Sequence, residues 1–430
     1  MAKINMKTAK WQTIVDGNSS RLKTTDGIVS LSFDRFPSPK GAATHIDAFA
    51  RALGQEFGQV RLVTIPPAAA ETASQAEYQA AEGVLHCPLP ATGASLFERV
   101  LSYRAQVWNW WKQNFASRGT RPRVAHVRSI FEGYPIARNK PQYCESLVYE
   151  VNGLPSIELK YHYPAVADDR ELLTKLRAQE QACLAAADQI ITVSHVNRRH
   201  LESRGVDPRK VTVIPNGVDL KKFPWRRPGQ QRAETSQEMR MLYVGTLSPC
   251  QGILHALEAL ALYRRDSPAR LTIAGPIRNH ERKAVEKAAW RMRVLEFIEL
   301  TGPVPRSKLA GLYHASDVVL APLTRNDRNC DQGCCPLKVL ETLACGTPLI
   351  ASDLEVVREL CLNEQHALLV RAGSGKAIKD AMLRLRDDRS LGEQLSRAGR
   401  NHVEHHSGWE VAQASLLRVY RELMDPVNLT

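Results

Sequence analysis

The stretch QGCCPLKVLETLACGTPLIASD, Gln332 to Asp353, places a lysine and a glutamate three residues apart at the head of an apolar helix pattern. Pro336 suits the first helical turn, where its missing N–H would have had no partner, and Gly346 followed by Pro348 stops the helix. The spacing predicts a helix over about Pro336 to Cys345. At about 100° per residue, Leu337, Leu340, Leu343 and Ala344 gather on one side, while Lys338 and Glu341 lie about 60° apart on another. A helix N-terminus presents unpaired N–H groups and partial positive charge, so with Lys338 beside it this one can hold a phosphate. Glu341, one turn deeper, can accept two hydrogen bonds from a ribose diol. Taken alone, the pair reads more readily as a solvated surface ion pair than as a ligand site.

Ligands of parallel α/β sheets bind beyond the carboxyl ends of the strands, so such a helix needs a sheet in front of it. From Gly27 onward, short β-branched runs alternate with helical patterns. Strands are predicted at IVSLSF, VRLVTI, VLHCPL, RVAHVRS, SLVYEVNG, QIITVS and KVTVIPN, then again at MLYVGTL, ARLTIAGP, EFIELTGPV, DVVLAPL, TPLIASD and HALLVRAG. The polar, Pro- and charge-rich stretch DLKKFPWRRPGQQRAETSQEMR between the two series is expected to bury little, and it marks a boundary. The expected organisation is an irregular extension over 1–27, an α/β unit over 28–218, a linker over 219–238, a second α/β unit over 239–407, and a helix over 408–430 packing back across both.

Bulk properties narrow the setting. An apolar content of 43% with 24% charged residues suits a soluble globular chain, and no uncharged apolar run approaches the roughly 18 residues of a membrane span. The first residues are basic and polar without an apolar signal core, and nine cysteines lack regular spacing, so a reducing, cytoplasmic setting is expected. A net charge of +13 favours phosphorylated or polyanionic partners. The nucleic-acid reading lacks zinc-finger spacing, an aromatic RNA-binding signature or a basic zipper. Leu96 to Arg123 mixes apolar and basic positions, which serves a helix packed on a sheet or one lying on an anionic membrane surface.

Several segments, taken in order, resemble one family. GCCPLKVLETLACGTPLIASD preceded by DVVLAPL is similar to the donor-binding helix of retaining glycosyltransferases of family 4. Ala187 to Phe223, with PNGVD at Pro215 to Asp219, resembles the interdomain segment of that family, and MLYVGTLSPCQGILHALEAL its first C-domain strand, phosphate loop and helix. SFDRFPSPKGAATHIDAFARAL resembles its glycine-rich N-domain loop, with Gly41 and Ala42 where two glycines are common. The resemblance implies a GT-B fold, two facing Rossmann-like domains with an acceptor on the first and a nucleotide-diphosphate sugar, expected to be a UDP-sugar, on the second. It implies no cofactor or metal, and a donor site built from Gly41, Ala42, Gly245, Thr246, Gln251, Val304, Gly333, Cys334, Cys335, Pro336, Leu337, Lys338, Val339 and Glu341.

The departures from the pattern are informative. The family often carries two glutamates separated by seven residues; Glu341 is the second, and Gly333 stands at the first. A diphosphate-gripping arginine and lysine are replaced by Thr246 and Gln251, which moves the phosphate load to Lys338, the helix N-terminus and the neutral GTLSPCQG loop, while backbone N–H groups of Gly333 to Cys335 are expected to contact the sugar hydroxyls. Asn152 stands near a common histidine and cannot transfer a proton at neutral pH. Glu150 is therefore the catalytic candidate beside Lys338, with Arg128, Asn152 and Glu158 as acceptor-side candidates and His126 ending the preceding strand.

A zinc site at Cys330, Cys334 and Cys335 lacks a fourth ligand at a finger-like spacing, and His402, His405 and His406 form no metal motif. The expected function is a retaining sugar transfer to a glycan or lipid-linked acceptor in polysaccharide or glycoconjugate synthesis, peripheral at the inner membrane face if the acceptor is lipid-linked. The alternative is a catalytically silent sugar-nucleotide or polyanion-binding protein on the same fold.

Overall fold

The computed structural model describes residues 22–38, 40–67, 76–229 and 238–425, so residues 1–21 of the expected extension and 230–237 of the expected linker lie outside the described residues. Two sheets carry the chain. The first has eight strands in the spatial order Tyr78–Ala81, Val84–Pro88, Val60–Ile65, Lys23–Arg35, Thr120–Val127, Ser146–Val151, Gln189–Thr192, Val211–Val213. The second has six, in the order Ile298–Gly302, Ala269–Ala274, Met239–Val244, Val318–Ala321, Leu349–Ser352, Leu368–Val370. All neighbours run parallel except Tyr78–Ala81, which pairs antiparallel with Val84–Pro88. That edge strand is not among the expected ones: YQAA is short and half exposed, so it carries no buried β-branched run.

In each sheet the chain reverses its direction of travel once. The first reverses between Lys23–Arg35 and Thr120–Val127, where Leu31 faces Val127; the second reverses between Met239–Val244 and Val318–Ala321, where Met241 faces Val318. Loops leaving the carboxyl ends of such paired strands diverge and leave a crevice. Arg35 and Arg128 stand at the first crevice, Gly245 and Leu323 at the second, and all four line one shared cavity.

Helices pack on both sheets for ordinary reasons. In Leu96–Asn114, Ser95 and Glu98 form a reciprocal capping box, and Val100, Tyr103, Val107, Trp110 and Trp111 are buried. Phe97, Leu101 and Trp108 of that helix stay exposed. The segment after Val218 is more deeply packed than its polarity suggests. Phe223 is fully buried and Trp225 Nε1 donates to Ser396 Oγ at 2.9 Å, because both aromatics fill space beside the helix Leu337–Cys345.

The last helix, Trp409–Met424, returns to the first sheet. Trp409, Leu416 and Tyr420 share a buried cluster with Ile28, Phe49, Val124 and Val148, each such apolar side chain contributing roughly 1.5–3 kcal/mol. Gln413 Nε2 donates to the Ala48 carbonyl at 2.8 Å, and Arg123 Nε to that of Leu423 at 3.2 Å. No helix among the described residues is long and apolar enough to cross a membrane.

Candidate functional site

A cavity of about 670 Å3 opens between the two domains. Its second-domain wall is built on the helix Leu337–Cys345. Pro336 lies just outside that helix, in extended conformation, instead of in its first turn; its carbonyl still accepts the Val339 N–H at 3.1 Å. No side chain caps the N-terminus and no acidic residue sits in the first turn, so the helix presents uncompensated positive potential.

Lys338 is 7% exposed and points at the loop after Met239–Val244. Its Nζ donates to Gln251 Oε1 at 2.8 Å and lies 4.3 Å from the centre of the Tyr243 ring. No carboxylate pairs with it among the described residues. Burial pushes its pKa down to about 7, the cost of holding a cation with only a neutral amide and an aromatic face for company. Gly245 makes the approach possible: its φ is +142°, and a Cβ there would stand 3.0 Å from Lys338 Nζ.

Glu341, 3% exposed, accepts from Arg306 Nη2 on one oxygen and from Tyr313 Oη on the other, both at 2.8 Å. Burial raises its pKa, opposed by Arg306 and the Tyr313 hydroxyl. Each carboxylate oxygen keeps a second lone pair, and the residue lines the cavity.

The first-domain wall is organised around Glu150, where the structure corrects the expectation of an open catalytic carboxylate. Glu150 is 1% exposed and does not line the cavity. Its Oε1 accepts from Arg128 Nε at 3.0 Å and lies 3.0 Å from His45 Nε2; its Oε2 lies 2.9 Å from His126 Nε2. Asn152 Nδ2 also donates to Oε1. Burial alone would raise the pKa of Glu150, but the Arg128 guanidinium and the two imidazoles outweigh it and hold the carboxyl well below the usual range. The group is thus a fixed anion that orients its neighbours. Arg128 also reaches Asp34 at 3.0 Å, and His126 is sealed behind the wall with Nδ1 2.6 Å from Tyr420 Oη.

From His45 the network crosses to the donor side. His45 Nδ1 lies 2.7 Å from Asn216 Oδ1, and Asn216 Nδ2 donates to the Cys335 carbonyl at 2.8 Å. His45 Nδ1 is thus hydrogen-bonded, whereas Nε2 meets Glu150 Oε1 at 3.0 Å without hydrogen-bond geometry.

Of the expected site residues, the cavity brings together Gly41, Ala42, Gly245, Thr246, Gln251, Val304, Cys334, Cys335, Pro336, Leu337, Lys338, Glu341, Arg128 and Asn152. Four others stand elsewhere. Glu150 lies behind the wall. Val339 is fully buried in the core under the helix. Gly333 packs against the turn at Ser194 to Asn197, and its N–H is already given to the Arg328 carbonyl at 3.0 Å, so that amide is not available to a sugar. Glu158 takes Arg328 Nε at 2.9 Å and Gln332 Nε2 at 3.1 Å, bridging the domains. The cavity adds residues the sequence did not point to: Arg35, Lys40, His45, Asn216, Arg306 and Arg328. Local signals existed for His45, one helical turn after Gly41 on the helix Gly41–Phe57, and for Asn216, within PNGVD. Among the described residues no group of three or more His, Cys, Asp or Glu comes together to hold a metal ion.

Two family models match the chain. The description "Glycosyltransferase Family 4" covers residues 39–222, and "Glycosyl transferases group 1" covers residues 238–388. Similar curated proteins include a D-inositol 3-phosphate glycosyltransferase of Thermomonospora curvata, 27% identical over 62% of this chain and 64% of that protein. A glycogen synthase of Mycobacterium tuberculosis is 26% identical over 70% of this chain and 69% of its own length. The matched region thus spans about two thirds of these relatives. Among solved structures, a sucrose-phosphate synthase of Thermosynechococcus elongatus superposes with a TM-score of 0.75 at 20% identity, covering 93% of this chain and 99% of that one. Anabaena Alr3699/HepE, solved with UDP and glucose, gives 0.70 at 14% identity, covering 93% and 100%. The chain belongs to glycosyltransferase family 4 and has the GT-B fold of two Rossmann-like domains.

Proposed function

We propose that this family 4 member is a retaining glycosyltransferase that moves a sugar from a UDP-sugar to a hydroxyl of a glycan or lipid-linked acceptor. The observation that carries the reading is Lys338, buried with no carboxylate partner among the described residues, at an uncapped helix N-terminus inside the interdomain cavity. A diphosphate supplies the missing charge. Glu341, one turn deeper, suits the ribose diol. The solved relative that holds UDP and glucose supports a uridine nucleotide as donor.

In the reaction, the bond between the anomeric carbon and the diphosphate oxygen breaks, and its electron pair leaves with UDP. The acceptor oxygen bonds to the anomeric carbon from the same face, and its proton passes to the leaving phosphate oxygen. Negative charge grows on that diphosphate as the sugar takes on oxocarbenium character, and Lys338 with the helix amides stabilises it. Neither a protein base nor a metal ion is called for, which suits a wall where Glu150 is committed to internal partners.

Association with an anionic membrane belongs to the same proposal. Phe97, Leu101 and Trp108 stay exposed on the helix that also carries Lys112, a surface that suits a lipid-linked acceptor.

Nucleotide release from UDP-, GDP- and ADP-sugars with a crude glycan acceptor tests the assignment. UDP release that depends on acceptor and falls in Glu341→Ala is the expected result. Donor binding without turnover across acceptors would instead identify a silent binding protein on the same fold.

A further inference from the structure

The second-domain wall of the cavity carries a guanidinium close to a position that has no side chain. At Gly333, where this family commonly has its first glutamate, φ is +86° and a Cβ would stand 2.6 Å from Ser194 Oγ and 2.7 Å from the Asn197 backbone nitrogen. No side chain fits there. What this segment sends into the cavity is Arg328.

Arg328 is held from both domains. Its Nε donates to Glu158 Oε1 at 2.9 Å and its Nη1 to Asn329 Oδ1 at 3.0 Å. Asn329, 1% exposed, is itself fixed by donating to the carbonyls of Cys250 and Thr324, each at 2.8 Å. Glu158 is steadied by Gln332, whose Oε1 accepts the Leu154 N–H at 2.8 Å. Those two bonds, the first of them an ion pair, use two of the five guanidinium N–H groups; the group also neighbours Cys334, and the residue lines the cavity.

A guanidinium in place of a carboxylate carries the opposite polarity for sugar recognition. A glutamate accepts hydrogen bonds and so selects hydroxyl donors, whereas an arginine only donates and so selects acceptors. A hydroxyl can satisfy either partner, but a carboxylate is repelled by the first and bound in two-pronged fashion by the second. The hydroxyls of such a sugar find their acceptor on the opposite wall. Asn152 gives its Nδ2 to Glu150, and its Oδ1 is buried without a protein partner while the residue lines the cavity. Among the described residues lining the cavity, Glu341 is the only carboxylate, and Arg306 and Tyr313 engage it.

We propose that Arg328 is a specificity-determining residue that selects a donor whose transferred sugar carries a carboxylate, a hexuronic acid. The inference rests on the nucleotide-sugar reading of the cavity. Calorimetric titration of the full chain with UDP, UDP-glucose, UDP-glucuronic acid and UDP-galacturonic acid, without acceptor, tests it. At least one uronic acid donor binds about tenfold more tightly than UDP-glucose, the equivalent of one good charge-assisted contact. Arg328→Gln brings that ratio close to one, and Arg328→Lys recovers part of it. UDP affinity and the melting temperature of each variant report whether it has folded; should Arg328→Gln fail to fold, the wild-type ratio alone decides. UDP-glucose binding as tight as either uronic acid donor, or a preference that survives Arg328→Gln, overturns the inference while UDP binding leaves the nucleotide-sugar reading standing. If UDP itself does not bind, both fall together.

Discussion

The two walls of the cleft treat charge in opposite ways. On the first-domain wall Glu150 is surrounded by Arg128, His45, His126 and Asn152, and the charges of this cluster are paired within the protein. On the second-domain wall Lys338 is buried against a neutral amide and an aromatic ring. A buried ion with complete pairing holds a fold together once it is in place, whereas a buried ion without a counter-charge destabilises the empty protein and waits for a ligand. One wall is thus built for geometry and the other for binding.

Substitutions on the two walls are expected to separate stability from function. The largest effect belongs to Glu150→Ala, which leaves Arg128 and two imidazoles without their common anion. Denaturant unfolding should lose about 3–5 kcal/mol, while UDP affinity, set on the other wall, changes far less. If the variant lost UDP binding but kept its stability, the division would be wrong. Lys338→Ala comes next and inverts the pattern. Turnover falls by about 100- to 1000-fold, in line with the loss of one preorganised donor, and the unfolding midpoint holds or rises because a buried unpaired cation has gone.

A smaller effect of defined sign follows from the depressed pKa of Lys338. The unfolded lysine titrates near its ordinary value of about 10.4 and the folded one at about 7. Between those limits the unfolded chain binds more protons, so the stability of the ligand-free protein rises with pH from about 7 to about 10, with a slope of at most about 1.4 kcal/mol per pH unit. Lys338→Met should flatten that slope; an unchanged slope would assign it to another group. The smallest change is Tyr420→Phe. Removing the hydroxyl beside His126 should lower stability by about 1 kcal/mol, with donor affinity untouched. A shift in UDP affinity there would mean that the last helix acts on the donor wall.

The same contrast explains what was legible in the sequence. The donor helix could be read because its information is local: Pro336, Lys338, Glu341 and Gly346 lie within eleven residues, and their spacing translates directly into a helix face. The strands of both sheets other than the edge strand Tyr78–Ala81 could be read as well, since burial leaves short β-branched runs. The Glu150 network could not, because it draws His126 and Glu150 from two strands, Asn216 from a loop, and His45 and Tyr420 from two helices far apart in the chain. Glu150 stood out as a carboxylate at a strand end, but only packing shows that it faces inward. Gly333 and Arg328 make the same point: the missing glutamate is visible in the sequence, and the arginine that enters the cavity nearby is not.

The most direct test of the central claim is the pH dependence of UDP affinity, measured calorimetrically from pH 6 to 9 for wild type and Lys338→Met. A diphosphate bound by Lys338 requires its protonated form, which predominates below its free-state pKa of about 7. The predicted result is near-constant affinity below pH 7 and a loss approaching tenfold per pH unit above it, absent from a weaker-binding Lys338→Met. Equal affinities and parallel pH profiles for the two proteins would contradict the account.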